Sequence, residues 1–238
     1  MKKFGFISPS VVNLPWDLTG VLTPDVATAV VTLNVRNGRP GEYERALSIM
    51  QGAADVLVDE GCGAIVVHGV PVSAKRGYAA ERDALNALTA ERGAVPITSA
   101  LAASALGLRR LGVQRPLFVT QYAPDVNALL VEFYNDAGIE PAGASGLNAT
   151  NAAQVNALRP DDFYRLTQQA FTENGAADGV FLSARGNLHA IALKLEAQLG
   201  VPVIDQIQAG VWWARSELGA APIENAGRLL ASTGITQA

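Results

Sequence analysis

The segment "FLSARGNLHA", Phe181 to Ala190, opens as a buried strand and ends as the first turn of a helix. Ser183, Arg185, Gly186, Asn187 and His189 crowd that single corner. Another strand end, "VVHGVPVS" (66–73), carries His68, Gly69, Val70 and Ser73. The chain has 2 histidines, and both fall at these corners. Histidine is the side chain best suited to exchange protons near neutral pH. Arginine adds a planar two-donor fork for a carboxylate. Backbone N–H groups at a helix opening, here those of Gly186, Asn187 and Leu188, are anion donors whatever the side chains do. Together these groups suit acid–base chemistry on a small anion, with His68 or His189 titrating near neutrality. Plainer readings stay open beside that one. Arg185 can point to solvent or pair with an acidic neighbour. His68 can face either the pocket or a hydrogen-bonded layer behind it, and His189 can cap or decorate its helix. Ser73 can cap the following segment, and Lys75 and Arg76 read as solvated or loop-pairing charges.

Several other chemistries are excluded. Two histidines and one cysteine without ligand spacing do not make a metal site, and none is expected. "SPSVVN" after the first strand lacks a glycine-rich phosphate loop, so no cofactor is expected either. A net charge of −4, with scattered Lys and Arg, offers no general attraction to nucleic acid or to an anionic membrane surface. The N-terminal apolar run stops at Ser8-Pro9, too short for a signal-peptide core, and no segment elsewhere could span a bilayer. A lone cysteine fits a reducing compartment, so a cytoplasmic location is expected. The remaining partner class is a small-molecule carboxylate, with homo-oligomerisation left open.

These corners need elements to position them. "FGFI" (4–7), "GAIVV" (63–67), "VPIT" (95–98), "PLFVT" (116–120), "GVFLS" (179–183) and "VPVID" (201–205) read as buried parallel strands. Amphipathic segments over 43–60, 79–92, 124–138, 160–174 and 188–200 read as helices. Such alternation predicts an α/β fold with parallel sheets. An internal repeat is also visible. "GAVPITSALAASALG" (93–107) resembles "LGVPVIDQIQAGVWWA" (199–214), and "CGAIVVHGVPVS" (62–73) resembles "ADGVFLSARGNLH" (177–189). "FGFISPSVVN" (4–13) is loosely similar to "PLFVTQYAPDVN" (116–127). The offset is roughly 110 residues, too long for a solenoid. It predicts two pseudo-symmetric Rossmann-like halves, 1–112 and 113–211, the first completed by a C-terminal helix over 212–238. Ligands of such sheets bind beyond the carboxyl ends of the strands, so both corners should face one cleft. Trp212 and Trp213, on the helix after "VPVIDQ", read as one core residue and one residue at a partner surface or loop lip.

"FGFISPS", "VVHGVPVSAKRG" (66–77), "LGVQRPLFVTQYAPDVNALLVEFYNDAGIEP" (111–141), "ADGVFLSARGNL" (177–188) and "GVPVIDQIQAGVWWA" (200–214) together resemble the aspartate/glutamate racemase superfamily. Within it the arylmalonate decarboxylase and maleate isomerase branch is the most similar, above all in "TQYAPDVN". The resemblance implies a two-half fold with a cleft and cofactor-free chemistry next to a carboxylate. Racemases of the family use two cysteines as acid and base, and its decarboxylases keep the second. The matching positions here are Gly69 and Ala184, which implies loss of both. A Thr-Ser pair that binds the substrate carboxylate is matched by Val70-Pro71, the glycine after the second cysteine by Arg185, and the substrate-binding tyrosine by Tyr122. Ser10 and Asn13 fall where family members place polar residues toward the substrate, although Ser-Pro-Ser and Asn-Leu-Pro are also ordinary turn chemistry.

Two functions follow. One is a cysteine-independent decarboxylase, lyase or isomerase acting on a small carboxylate, with Ser10, Asn13, Gly69, Val70, Tyr122, Ala184, Arg185, Gly186 and Asn187 binding substrate and His68 or His189 as catalyst. The other is a non-catalytic member that binds small carboxylates or serves as an accessory subunit. Neither uses Cys62. That residue opens the strand whose other end carries the corner at Gly69, on the order of 20 Å away at about 3.3 Å per extended residue. Cys62→Ala should therefore leave ligand binding and any turnover unchanged, and thiol-alkylating reagents should not inhibit. Lost activity in that variant at an unchanged melting temperature would place the site elsewhere.

Overall fold

A computed structural model of the chain describes residues 1–9, 25–35, 40–186, 188–232 and 234–235. Four strands, β1 (Lys2–Ser8), β2 (Val26–Thr32), β3 (Ile65–Val67) and β4 (Ile97–Ser99), form a parallel sheet in the order β2-β1-β3-β4. The second sheet repeats the pattern. Strands β5 (Pro116–Thr120), β6 (Gly143–Gly146), β7 (Gly179–Ser183) and β8 (Val203–Asp205) pair in parallel in the order β6-β5-β7-β8. The expected two-sheet α/β architecture is thus present. The inner strands are apolar on both faces because helices cover both; every residue of β5 and of β7 is buried.

Nine helices lie among the described residues: α1 (Pro40–Asp59), α2 (Val70–Arg76), α3 (Tyr78–Glu91), α4 (Ala100–Arg110), α5 (Pro124–Asp136), α6 (Ala152–Ala157), α7 (Pro160–Glu173), α8 (His189–Leu199) and α9 (Gln206–Glu217). Contacts between the halves run α4 against α9 and α2 against α5. One hydrophobic core spans both sheets, joining Phe4, Phe6 and Val66 to Phe118, Phe181 and Ile204. Trp212 and Trp213 are both buried in that core, so neither stands at a lip or partner surface.

Beyond α2, α4 and α6, which the amphipathic pattern did not mark, three elements differ from the sequence expectation. Strands β2 and β6 are edge strands, and partial exposure gives "VATAVVT" and "GASG" weak apolar patterns. The final helix spans Gln206–Glu217 rather than 212–238. It starts there because Asp205 accepts from the amides of Ile207 and Gln208 while the Gln208 side chain accepts from the Asp205 amide, a capping box. It stops at Leu218, where Gly219 takes φ of 58° and Pro222 follows.

Gly146, which ends β6, lies under the turn after β5. A Cβ there would sit 2.1 Å from the Tyr122 carbonyl oxygen and 2.6 Å from Asn127 Nδ2. The first obstacle is backbone, so it cannot rotate away. Gly146→Ala should destabilise by about 1–3 kcal/mol, the range for overpacking. Denaturant unfolding checks this, and an unchanged midpoint would mean that the turn is looser than described.

Candidate functional site

The carboxyl ends of both sheets open onto a cavity of about 330 Å³. Ser8, Pro9 and His68 to Pro71 line it from the first sheet, and Gln121, Tyr122, Ala184 to Gly186, Gln206 and Ile207 from the second. Ala149 to Ala152 and Val155 of α6 close one side, with Val35 and Val126 adding apolar wall. Of the residues expected at a site, His68, Gly69, Val70, Tyr122, Ala184, Arg185 and Gly186 share this cavity. His189 does not line it. Ser10, Asn13 and Asn187 lie outside the described residues.

The first corner is closed by its own backbone. The His68 amide donates to the Ile7 carbonyl at 2.7 Å, extending the β1–β3 ladder. Gly69 takes φ of 147°, a conformation that favours glycine, and caps α2. Its carbonyl receives the amides of Val72 and Ser73, while Pro71 has none. Behind the corner Ser73 does not cap a helix. Its hydroxyl donates to the buried carboxylate of Glu81 at 2.6 Å, and Arg76 Nη1 donates to the other oxygen at 2.6 Å. Lys75 is exposed.

The His68 ring stacks on Phe6, with centroids 4.0 Å apart and planes 28° from parallel. Its Nε2 is buried and has no hydrogen-bond partner among the described residues. Burial pushes its pKa down to about 3. The ring is therefore neutral throughout the neutral range, and the expectation that His68 titrates near pH 7 is corrected by its desolvation.

The second corner is tied together by side-chain amides. Ser183 Oγ donates to Gln206 Oε1 at 2.8 Å, and Gln206 Nε2 donates to the Ala184 carbonyl at 2.7 Å. The Arg185 amide donates to Gln121 Oε1 at 2.8 Å, so this N–H already has a protein acceptor. Gly186 has φ of 119°, and the Arg185 side chain is exposed. Tyr122 is held by its backbone: its amide donates to Thr120 Oγ1 at 3.0 Å, and that hydroxyl donates to Asn127 Oδ1 at 2.7 Å. His189 lies buried in the first turn of α8, behind the corner rather than on the helix surface. Close by, burial raises the Asp205 carboxyl above its ordinary range, against the opposing pull of the Gln208 amide, His189 and the Ile207 amide.

Among the described lining residues Arg185 is the one ionised side chain, and no Asp, Glu or Cys is present. No group of residues able to hold a metal ion occurs among the described residues. Cys62 is buried away from the cavity, and burial raises its thiol pKa. Sequence reasoning missed Gln121 and Gln206. Both stand inside stretches it used, "TQYAPDVN" and "VPVIDQ", but glutamine carries no spacing rule that marks it as a strut.

His68 gives a test of pH dependence. Its folded pKa lies below the unfolded value, so between about pH 6.5 and 3 the unfolded state binds the extra proton. Stability should fall as pH falls through that window, by at most about 1.4 kcal/mol per pH unit from this group. His68→Asn should flatten the slope relative to the parent protein in urea unfolding at pH 4 to 7. Parallel slopes would mean that the ring is hydrated.

The family profile of arylmalonate decarboxylase matches residues 5–230. Arylmalonate decarboxylase of Bordetella bronchiseptica is 30% identical over 192 residues, 80% of this chain and 80% of that protein. The solved structure of unliganded arylmalonate decarboxylase superposes with a TM-score of 0.83 at 28% identity, covering 98% of this chain and 100% of the other. TRIS-bound maleate cis-trans isomerase of Nocardia farcinica superposes with a TM-score of 0.83 at 17% identity, covering 97% and 98%, and shares the racemase-like fold.

Proposed function

Because the chain belongs to the arylmalonate decarboxylase family, we propose that it is a cofactor-independent enzyme acting on a small carboxylate or dicarboxylate in the cleft between its two sheets. The observation that carries this reading is the lining of the cavity: one cation, neutral amide and hydroxyl groups, and an apolar wall, with no carboxylate among the described residues. An anion with an apolar substituent matches it, and a cationic ligand does not.

Decarboxylation of a substituted malonate fits these groups most directly. The bond from the central carbon to one carboxylate breaks, CO2 leaves, and the electron pair remains as an enediolate on the other carboxylate. Arg185, Tyr122 and backbone donors at the second corner stabilise that charge, the largest contribution such a pocket can make. A proton then adds to the carbon. With Gly69 and Ala184 at the matching positions, no cysteine delivers it, and His68, neutral and stacked on Phe6, is a poor acid. Water is the proton source on this reading, and both catalytic cysteines are lost.

A second reading, a binder of small carboxylates without turnover, is favoured by the same lack of an ionisable acid in the lining. One experiment separates the two. Phenylmalonate and a panel of mono- and dicarboxylates are screened by CO2 release and by thermal shift. Turnover supports the enzyme, thermal shift without turnover supports the binder, and neither response overturns the carboxylate reading. Tyr122→Phe should weaken binding by about 0.5–3 kcal/mol, the range for a hydrogen bond whose partner is charged. His68→Asn and His189→Asn should each retain turnover, and a large kcat loss with KM unchanged in either would return the proton to histidine.

A further inference from the structure

Gln121 stands between the end of β5 and Tyr122. Its side chain carries one acceptor oxygen and one NH2 group. The Arg185 backbone N–H lies 2.8 Å from Oε1. A backbone N–H can only donate, which fixes the amide: the oxygen faces Arg185 and the NH2 faces the other way. None of the described residues accepts a hydrogen bond from that NH2. Gln121 is only 9% exposed, and it lines the cavity.

The backbone of Gln121 is fixed as firmly as its oxygen. Its amide donates to the Ser183 carbonyl at 3.1 Å, and its carbonyl accepts from Ala149 at 2.9 Å. Gln206, across the corner, makes one bond with its oxygen and one with its nitrogen, to Ser183 and Ala184. Two glutamines thus hold the second corner, and the NH2 of Gln121, a residue that lines the cavity, takes no part in that bonding. A carboxylate oxygen is an acceptor only, so it complements an amide NH2 held in one orientation.

We propose that Gln121 is a ligand-binding residue of this cleft, its NH2 donating to a bound carboxylate oxygen while its own oxygen holds the Arg185 N–H. One side chain then shapes the corner and discriminates the charge of the ligand. The proposal rests on the carboxylate reading above. Gln121→Glu separates the two roles, because it keeps an acceptor for the Arg185 N–H and places an acceptor where the native residue places donors.

Titration calorimetry with phenylacetate and its neutral analogue phenylacetamide tests it. In Gln121→Glu the affinity for phenylacetate should fall by about tenfold or more while that for phenylacetamide is kept, since an amide ligand can donate to the new carboxylate. In Gln121→Leu the phenylacetate loss should again exceed the phenylacetamide loss, because a charged acceptor makes the stronger bond. A phenylacetate affinity within about twofold of the parent in Gln121→Leu would overturn the contact. Parallel losses of both ligands in Gln121→Glu would leave Gln121 as a positioning residue only and overturn the proposed donor. If the parent protein binds neither compound, nor any carboxylate of the panel, the underlying reading falls first, and that outcome is distinct from either result with the variants.

Discussion

A parallel strand that ends inside a protein leaves its last amides and carbonyls without a ladder, and those groups cannot stay buried unpaired. In this fold four inner strands end around one cavity, so how their ends are satisfied decides what the cavity can offer. Side chains do much of the work. Gln206 takes Ser183 Oγ and the Ala184 carbonyl, and Gln121 takes the Arg185 amide. Asp205 takes two amides at the start of α9, and Ser99 takes that of Ala102 at the start of α4. Every donor consumed in this way is one fewer for a ligand.

This constraint makes the two pseudo-symmetric corners unequal. At the first, Gly69 receives the amides of Val72 and Ser73 on its own carbonyl, and Pro71 removes another donor. At the second, two glutamines and Arg185 remain. The same strand order therefore gives one largely apolar wall and one polar wall. Histidine follows the same division. His68 stacks on Phe6 beside the cavity, while His189 is enclosed near Asp205 behind it. The His68 position does not resemble the partly hydrated setting in which imidazole exchanges protons readily near neutral pH.

Much of the fold was legible in the sequence, and for a physical reason. Strands such as "PLFVT" and "GVFLS" are covered on both faces, so they read as unbroken apolar runs. Of the four edge strands, β4 and β8 were legible and β2 and β6 were not. β2 alternates with threonine and alanine, and β6 is "GASG", whose Gly146 is required by the Tyr122 carbonyl above it rather than by any strand propensity. At the cavity the sequence located the corners, because polar residues after an apolar run stand out. It did not locate Gln121 or Gln206. Their significance comes from register: β5 and β7 pair Thr120 with Ser183, which brings residue 121 beside residue 185. Pairing across 64 residues leaves no local trace.

The balance of charge in the cavity also bears on the chemistry proposed for it. Proton exchange on both faces of a carbon needs two groups that titrate, and the described lining holds none that does so near neutral pH. Loss of CO2 makes a smaller demand, because neutral CO2 departs without a proton transfer and the carboxylate that stays accepts the electron pair, and with it the charge, left behind. What that step requires is a fixed set of donors around the remaining carboxylate. Neutral amides on a pinned backbone meet the requirement at any pH at which the fold survives. A cavity built from glutamine, tyrosine and arginine would then be limited at low pH by protonation of its ligand and of the buried His68, and not by ionisation of a catalytic acid.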